Sequence, residues 1–541
     1  MKMRFWMLMW GCLCVGAWAQ QTHSAPSSPT SPSAILASVV SVQSRHIDHT
    51  GARPVELVCP RKGPAQTRPS SPAPEPTEIP DDDEVEQALQ EARAQAQGQT
   101  QAQAKGSTGG LEGFGSAKQL LRSGALRQGL PGHLSGHLPG QLPGHLRMAI
   151  WGDSHMAAAF FSDHLLRQML RQEAAADATV GSRFVHAGVG HGGVRALVRK
   201  TCLSGDWGRE MAYAHADAAA APGPGMTSLV AKRPGATLAM DLRDAQGQAR
   251  HTRLQILHHG DGANAVRLAI SLNGEAETQV TLAAQAGPNA LALTTNAPLS
   301  TLQIRVVSGA FRFQGLKLTE PATPTLNPTN LTQAIHLDLF AYPGATMAGW
   351  VRSDLAYLAS WFTEQPYDLA LIAFGTNEGN DPRFNESAYR DTLNQALRNF
   401  RQVFPQTQCV LIGPGDRGIR VAKPKGVKGS KNSTAANAKQ KKTTSKASAS
   451  AKPPNTSTSP VSALLKYSRI HTLIGQIQAE AAAQNGCLAW SMQDAMGGAG
   501  SAYQWARKNP PLMAPDLIHF TPAGYRELAD RFMADFGLSK P

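Results

Sequence analysis

Five short apolar runs, most of them followed by a segment of helical periodicity, constrain this chain more than any other feature. RMAIWGDS, from Arg147, precedes a helical pattern over Met156 to Gln172, and IHLDLFAYPG precedes one over Ala348 to Thr363. Tyr367 to Gly375 (YDLALIAFG) precedes Glu386 to Phe404, Gln408 to Gly413 (QCVLIG) comes before Leu464 to Asn485, and CLAWSM comes before Pro522 to Phe536. Runs apolar at successive positions are buried on both faces, and alternation with helices implies a mainly parallel sheet covered on both sides. The expected fold class is α/β. Ligands of such sheets bind beyond the carboxyl ends of the strands.

The chain has 541 residues, too many for one simple core. Between residues 203 and 329 the texture changes to short alternating runs (ATLAMDL, TRLQILHH, VRLAISLNG, ETQVTLAA, TLQIRVV) separated by Gly, Asn and Pro. That pattern predicts an inserted β-sandwich. The α/β domain is then split, over 147–202 and 330–541.

Three stretches read differently. Residues 1–19 have Lys2 and Arg4, an apolar run from Phe5 to Val15, and Ala17-Trp18-Ala19, the pattern of a signal peptide. The expectation is export to the periplasm or cell envelope, with no transmembrane segment in the mature chain. Cys12 and Cys14 lack the small preceding residues that lipidation requires. Residues 20–146 are rich in Ser, Pro, Gln and Gly and are expected to be disordered, apart from a short acidic helix over Asp81 to Gln95. Their Pro/Gly repeat carries His133, His137 and His145, which fits a spacer better than a metal site. Residues 421–460 form a loop with nine lysines and no acidic residue; without them the formal charge falls from +13 to +4. A solvated disordered loop and a tether to an anionic polymer or membrane surface are both open readings. Nucleic acid is excluded as a partner, because no aromatic residues interleave the lysines.

Four cysteines remain after the leader: Cys59, Cys202, Cys409 and Cys487. The even count permits two disulfides, and four free thiols fit the spacing equally. No pattern calls for a cofactor or metal.

Four segments carry chemistry. Gly152-Asp153-Ser154-His155 ends a strand and opens a helix, placing Ser154 at the carboxyl edge of the sheet. Asp516-Leu517-Ile518-His519 lets one turn present a carboxylate and an imidazole, as serine ester hydrolysis needs. Asn377 follows the run YDLALIAFG, where its side-chain amide can donate to a developing oxyanion. Gly344 ends the preceding strand and lies 33 residues before Asn377, one strand-helix-strand step. A competing glycine string, HAGVGHGGVR, runs from His186 to Arg195, and within it His191 has no evident role. His155 is read as a helix-start residue. Trp350 and Trp505 fit either core packing or stacking against a sugar.

The order Ser154, Gly344, Asn377, then Asp516 and His519 resembles the SGNH, or GDSL-like, hydrolases. The resemblance implies a flavodoxin-like sheet with Ser154 as nucleophile, His519 as base and Asp516 as its orienting carboxylate. It also implies an oxyanion hole of the Ser154 and Gly344 amides and the Asn377 side chain. The β-rich module between the Ser and Gly blocks, and the ending AMGGAGSAYQWARKNPPLMAPDLIHFTPAGY, resemble the peptidoglycan O-acetylesterase branch. The implied substrate is an acetylated polysaccharide, the C6 O-acetyl of muramic acid in peptidoglycan, with a carbohydrate-binding role for the insert. Rival readings are an esterase for another ester, an O-acetyltransferase on the same fold, and a non-catalytic wall-binding protein.

Overall fold

Both faces of the strand His145–Gly152 are apolar: Met148 and Ile150 point to one core, Ala149 and Trp151 to the other, and all four are buried. This alternation places the strand inside a sheet covered on both sides. In the computed structural model it is central to a six-stranded parallel sheet. The order is Leu488–Ser491, Gln408–Gly413, Leu369–Ala373, His145–Gly152, Ala334–Ala341, Thr179–Gly181. The structure describes residues 39–48, 56–57, 59, 77–103, 145–172, 179–181, 184–195, 198–214, 220–244, 247–318, 334–363, 367–422 and 463–538. The expected leader over 1–19, His133, His137 and residues 423–460 of the expected lysine-rich loop lie outside them. Among the described residues no helix is long and apolar enough to cross a membrane.

Helices cover the sheet on both faces. Glu386–Val403 and Lys466–Gln484 bury Leu393, Leu397, Phe400, Ile474 and Ile477 against the Trp151 side. Phe160–Gln172 and Pro522–Asp535 bury Phe161, Leu165, Leu528 and Phe532 against the Ile150 side. The chain order reverses on either side of His145–Gly152, so the crevice at its carboxyl end is the topological switch point.

Two expected helices are interrupted, each by a tertiary contact. The first splits into Ser154–Ala157 and Phe160–Gln172, with Ala159 between them at φ +61°. There the Arg195 N–H takes the Ala157 carbonyl at 2.8 Å, a group that a continuous helix would use itself. The second splits into Ala348–Arg352 and Leu355–Ser360. Ser353 is extended and pairs with Ala220, whose N–H bonds Arg352 O and whose carbonyl accepts from Asp354, both at 2.7 Å.

The insert is a sandwich of two sheets. One has five strands in the order Thr278–Leu282, Val266–Leu272, Thr301–Ser308, Thr237–Asp241, Lys200–Leu203. The other runs Ser41–Ile47, Gly287–Thr295, Arg253–Gly260, Arg312–Leu318, Thr227–Ala231, Trp207–Met211, with Phe184–His186 also paired to Arg312–Leu318. Leu254, Ile256, Leu291 and Leu316 of the larger sheet meet Leu238, Met240, Leu268 and Ile304 of the smaller one. The opposite face of the larger sheet sends Leu257 and Ala290 into the core shared with Trp151 and Phe340. The sandwich is thus packed onto the α/β domain.

Its limits correct the expected 203–329. The strand Lys200–Leu203 already belongs to it, and Phe184–His186 and Ser41–Ile47 are recruited from outside. These are short strands whose backbone pairing, rather than side-chain alternation, places them in the sheet.

Against the expectation of disorder over 20–146, with the acidic helix as its one exception, Ser41–Ile47, Cys59, Thr77–Glu78 and the strand start at His145 are placed in the fold. Ser41–Ile47 runs parallel to Gly287–Thr295 through seven register pairs, although only Ile47 of the strand is buried. Cys59 is bonded to Cys202, and Cys409 to Cys487, so both permitted disulfides are present. The acidic helix runs Asp82–Gln103, longer than expected, and buries Val85 and Ala88 against Leu464, Leu465, Tyr503 and Leu517. Just before it, Thr77–Glu78 pairs with Val421–Ala422. The central strand itself begins at His145, two residues earlier than expected.

Candidate active site

Register brings three strand ends level. Gly152 lies opposite Ala341 on one side and Ala373 on the other. Just beyond, Tyr342 N–H donates to Gly152 O at 3.0 Å and Asp153 N–H to Ala373 O at 3.2 Å. The three loops that follow carry Ser154, Gly344 and Asn377. Gly152 is required by close approach: a Cβ there would sit 2.8 Å from Met156 Cγ and 3.0 Å from Ala373 O.

Ser154 is the first residue of the one-turn helix Ser154–Ala157, which Asp153 caps by accepting the His155 N–H at 2.9 Å. Its N–H therefore lies outside the intrahelical ladder. Ser154 Oγ is 3.0 Å from His519 Nε2, and His519 Nδ1 is 2.7 Å from Asp516 Oδ2. The second oxygen, Asp516 Oδ1, accepts the N–H groups of Ile518 at 3.0 Å and His519 at 2.9 Å. The carboxylate thus shapes its own turn while orienting the ring.

That turn is strained. Leu517 is fully buried at φ +57°, a region that leucine rarely occupies. Its N–H donates to Ala514 O and its carbonyl accepts from Gly418 N–H, both at 3.0 Å. The Ala514 N–H donates to His519 O at 2.7 Å.

Electrostatics follow from these bonds. The Asp516 contact raises the His519 pKa above its ordinary value against the effect of burial. Burial works against ionisation of Asp516, but the bonds from the His519 ring and the two N–H groups outweigh it and hold the carboxyl well below the usual range. An ionised Asp516 accepts a hydrogen bond from Nδ1–H, leaving Nε2 free to accept from the Ser154 hydroxyl.

Asn377 and Gly344 come together through a short bridge. The Asn377 side-chain amide donates to Ala345 O at 2.9 Å. Gly344 is exposed at φ +83°, with nothing near the position of an added Cβ. Glu378 joins the two loops: Oε1 accepts Met347 N–H at 3.0 Å and Oε2 accepts Gly375 N–H at 3.1 Å. All five sequence-predicted site residues therefore lie at one edge of the sheet.

Two carboxyls here were not anticipated. Burial pushes Asp153 up to about 7, and Glu378 also sits above its usual value because of burial. Glu378 follows Asn377 directly in sequence, but its use depends on a loop that sequence alone does not position. His155 is buried behind the His519 ring, with ring centroids 5.4 Å apart, and its Nδ1 lies 3.2 Å from Tyr525 Oη. Burial drops its pKa to about 3, so it is neutral.

Trp350 and Trp505 are 0% and 2% exposed, which places both in the core and removes them as sugar platforms. The glycine string at 186–195 borders the site. Gly193 lies against Pro343, and the His191 ring is 5.0 Å from Tyr342. Among the described residues no group of three His, Cys, Asp or Glu side chains is placed to hold a metal ion.

No protein-family model and no curated protein matches the chain. Solved structures do. One is a peptidoglycan O-acetylesterase, 18% identical, with 77% of this chain and 94% of that one covered at a TM-score of 0.48. A family two carbohydrate esterase from Cellvibrio japonicus is 13% identical over 63% of this chain and 99% of its own, at 0.22. A putative SGNH hydrolase from Slackia heliotrinireducens is 15% identical over 37% and 84%, at 0.23. In the order of its site residues and their shared place at the sheet edge, the chain resembles the SGNH hydrolases.

Proposed function

We propose that this protein is an exported serine esterase that removes O-acetyl groups from a cell-wall polysaccharide, namely the C6 O-acetyl of muramic acid in peptidoglycan. The observation that carries the ester chemistry is the relay from Ser154 Oγ through His519 to Asp516, at 3.0 and 2.7 Å. The glycan follows from the sequence resemblance. The two disulfides support export, because such bonds persist in oxidising compartments.

In the mechanism, Ser154 Oγ attacks the acetyl carbonyl as its proton passes to His519 Nε2. The resulting imidazolium is stabilised by Asp516. The oxyanion is held by the Ser154 and Gly344 amides and the Asn377 side chain. Collapse breaks the bond to the sugar oxygen, which leaves with the proton from His519. Water, deprotonated by His519, then attacks the acetyl-serine, and acetate departs as Ser154 regains its proton. The sandwich, packed beside the catalytic sheet, is read as a carbohydrate-binding module. The lysine-bearing loop is read as a contact for anionic polymer.

The test is acetate release from O-acetylated peptidoglycan, with acetylated xylan alongside and Ser154→Ala as control. Release from peptidoglycan that vanishes in the variant supports both the nucleophile and the substrate. Release from xylan alone keeps the chemistry and discards the glycan. No Ser154-dependent release from either refutes the reading.

A further inference from the structure

The edge strand Ser41–Ile47 adds little to the core of the sandwich, since only Ile47 is buried. Its first residues instead wall a cavity of about 520 Å³ that is lined from both sheets. Register explains the floor. Ser41 lies opposite Asn289, and Asn289 opposite His258, so three polar side chains form a row across three strands. Leu257 and Ala290, one position along, face the α/β domain, so His258 and Asn289 turn toward the smaller sheet. From that side Thr281 and the turn bearing Gln285 close the cavity.

The walls are held in place. Ser41 Oγ donates to Gln285 Oε1 at 2.6 Å, and Gln43 Nε2 donates to Thr281 O at 2.8 Å. Asn289 Nδ2 donates to Gln285 O and Gly287 O, both at 2.9 Å. Gly260 lets the turn approach, because a Cβ there would run into Gln285 O.

Two deep groups are left over. His258 is 6% exposed, and among the described residues nothing hydrogen-bonds its ring. Asn289 is 5% exposed and makes its bonds through Nδ2, which leaves Oδ1 as an acceptor. Neither the His258 nitrogens nor Asn289 Oδ1 are sealed off, and for residues this deep the open space they meet is the cavity. Burial, reinforced by His259, lowers the His258 pKa to about 4, so the ring is neutral and offers one donor and one acceptor. The described lining thus presents hydroxyl, amide and imidazole groups and no charge. An ion would lose its hydration there without gaining a partner. A ligand whose groups both donate and accept would satisfy the unpaired atoms, and sugar hydroxyls do both. The volume lies within the range of small-ligand sites, about 300–1,000 Å³.

We propose that this cavity is a glycan-binding site, separate from the Ser154 site, that takes an uncharged sugar residue through His258, Asn289 and Gln285. The proposal rests on the reading of the sandwich as a carbohydrate-binding module and gives that module its site. It does not depend on the ester chemistry.

The experiment is calorimetric titration of the full chain with four trisaccharides. Tri-N-acetylchitotriose and cellotriose are neutral, fully de-N-acetylated chitotriose is cationic, and trigalacturonic acid is anionic. At least one neutral trimer is expected to bind about tenfold or more tightly than either charged one. His258→Phe keeps a ring against Phe311 while removing both nitrogens, and should weaken that binding by about tenfold. Ala283→Trp places a large side chain on an exposed residue of the lining and should weaken it by more than tenfold. One variant alters the floor and the other the rim, so the test does not hang on the folding of either, and denaturant midpoints report folding without recourse to activity.

Neutral trimers that bind no better than charged ones overturn the proposal. So does binding that is unchanged in a folded variant of either kind, which would put the sugar elsewhere on the chain. Cleavage of 4-nitrophenyl acetate separates the two sites. Cavity-dependent binding without Ser154-dependent cleavage keeps this proposal and removes the esterase reading. Ser154-dependent cleavage without cavity-dependent binding does the reverse.

Discussion

Replacing Asp516 by asparagine tests the relay at its least redundant point. The amide keeps an oxygen where Asp516 Oδ1 accepts the Ile518 and His519 N–H groups at 3.0 and 2.9 Å, so the turn retains its shape. Its NH2 group then faces His519 Nδ1, which the native carboxylate meets at 2.7 Å. Two donors cannot share that contact, so the ring proton moves to Nε2. At 3.0 Å from Ser154 Oγ, Nε2 would then donate rather than accept, and the serine loses its base. The same exchange in a serine protease lowers kcat by about 10⁴. Here the His519 and Asp516 side chains are 42% and 47% exposed, so water substitutes in part, and a fall of about 10³ to 10⁴ is expected for Asp516→Asn. The pH profile adds a second readout. His519 acts only when neutral, and Asp516 raises its pKa above 6.5, so the acid limb of native kcat/KM lies above that pH. Without the carboxylate the limb moves to lower pH. The assay is initial-rate acetate release from pH 5 to 9, with denaturant midpoints to confirm the fold. Retention of more than about a tenth of native kcat with an unmoved limb, against the fall the relay demands, would refute the assignment.

Three further outcomes are expected. Asn377→Ala removes one oxyanion donor and should cost about 10²–10³ in kcat in the acetate assay. Glu378→Gln removes one of the two charge-assisted bonds of this carboxylate, one to Met347 in the Gly344 loop and one to Gly375 in its own turn; it should lower stability by about 1.5–3 kcal/mol in denaturant titration and kcat by less than Asn377→Ala does. Asp153 has a folded pKa of about 7 against 3.8, so native stability attributable to it is present below the unfolded value and lost as pH rises to about 7, by about 4 kcal/mol in all. His155, His186, His258 and His471, with folded values of about 3 to 4, act in the opposite sense, losing stability as pH falls below 6.5. The native-minus-Asp153→Asn difference in denaturant midpoint cancels them, and a difference that stays flat from pH 4 to 8 would exclude a buried, ionising Asp153.

The candidate site residues were legible because each sits in a local pattern: Ser154 and Asn377 directly follow apolar runs, and Asp516 and His519 share one turn. Parallel register then aligns those strand ends without further information. What sequence left open depends on contacts between distant segments. The break at Ser353 needs Ala220 as a partner, and the one near Ala159 needs the Arg195 N–H. Trp350 and Trp505 look alike in sequence whether they line a groove or fill a core; their burial decides. Ser41–Ile47 could not be read from its composition, because its place comes from a backbone ladder with Gly287–Thr295 and its side chains are mostly exposed.

The acidic helix, expected over Asp81 to Gln95 and observed over Asp82–Gln103, bears directly on the site. Leu517 holds a left-handed backbone between Asp516 and His519, which costs a non-glycine residue about 1–2 kcal/mol. Burying a leucine side chain returns about 1.5–3 kcal/mol, enough to offset that strain only if the burial is nearly complete. Leu517 reaches 0% exposure in a cluster whose other members are Val85 and Ala88 of the helix Asp82–Gln103, together with Leu464, Leu465 and Tyr503. The helix is fixed there by the pairing of Thr77–Glu78 with Val421–Ala422 and by the ion pair of Asp82 with Arg507. The helix Asp82–Gln103 therefore forms one wall of the cluster that holds the Asp516–His519 turn in its strained shape. A domain boundary drawn at residue 146 would remove that wall, expose Leu517 and leave the strain without its compensation, so the helix residues Val85 and Ala88 belong to the same packed unit as the Asp516–His519 turn.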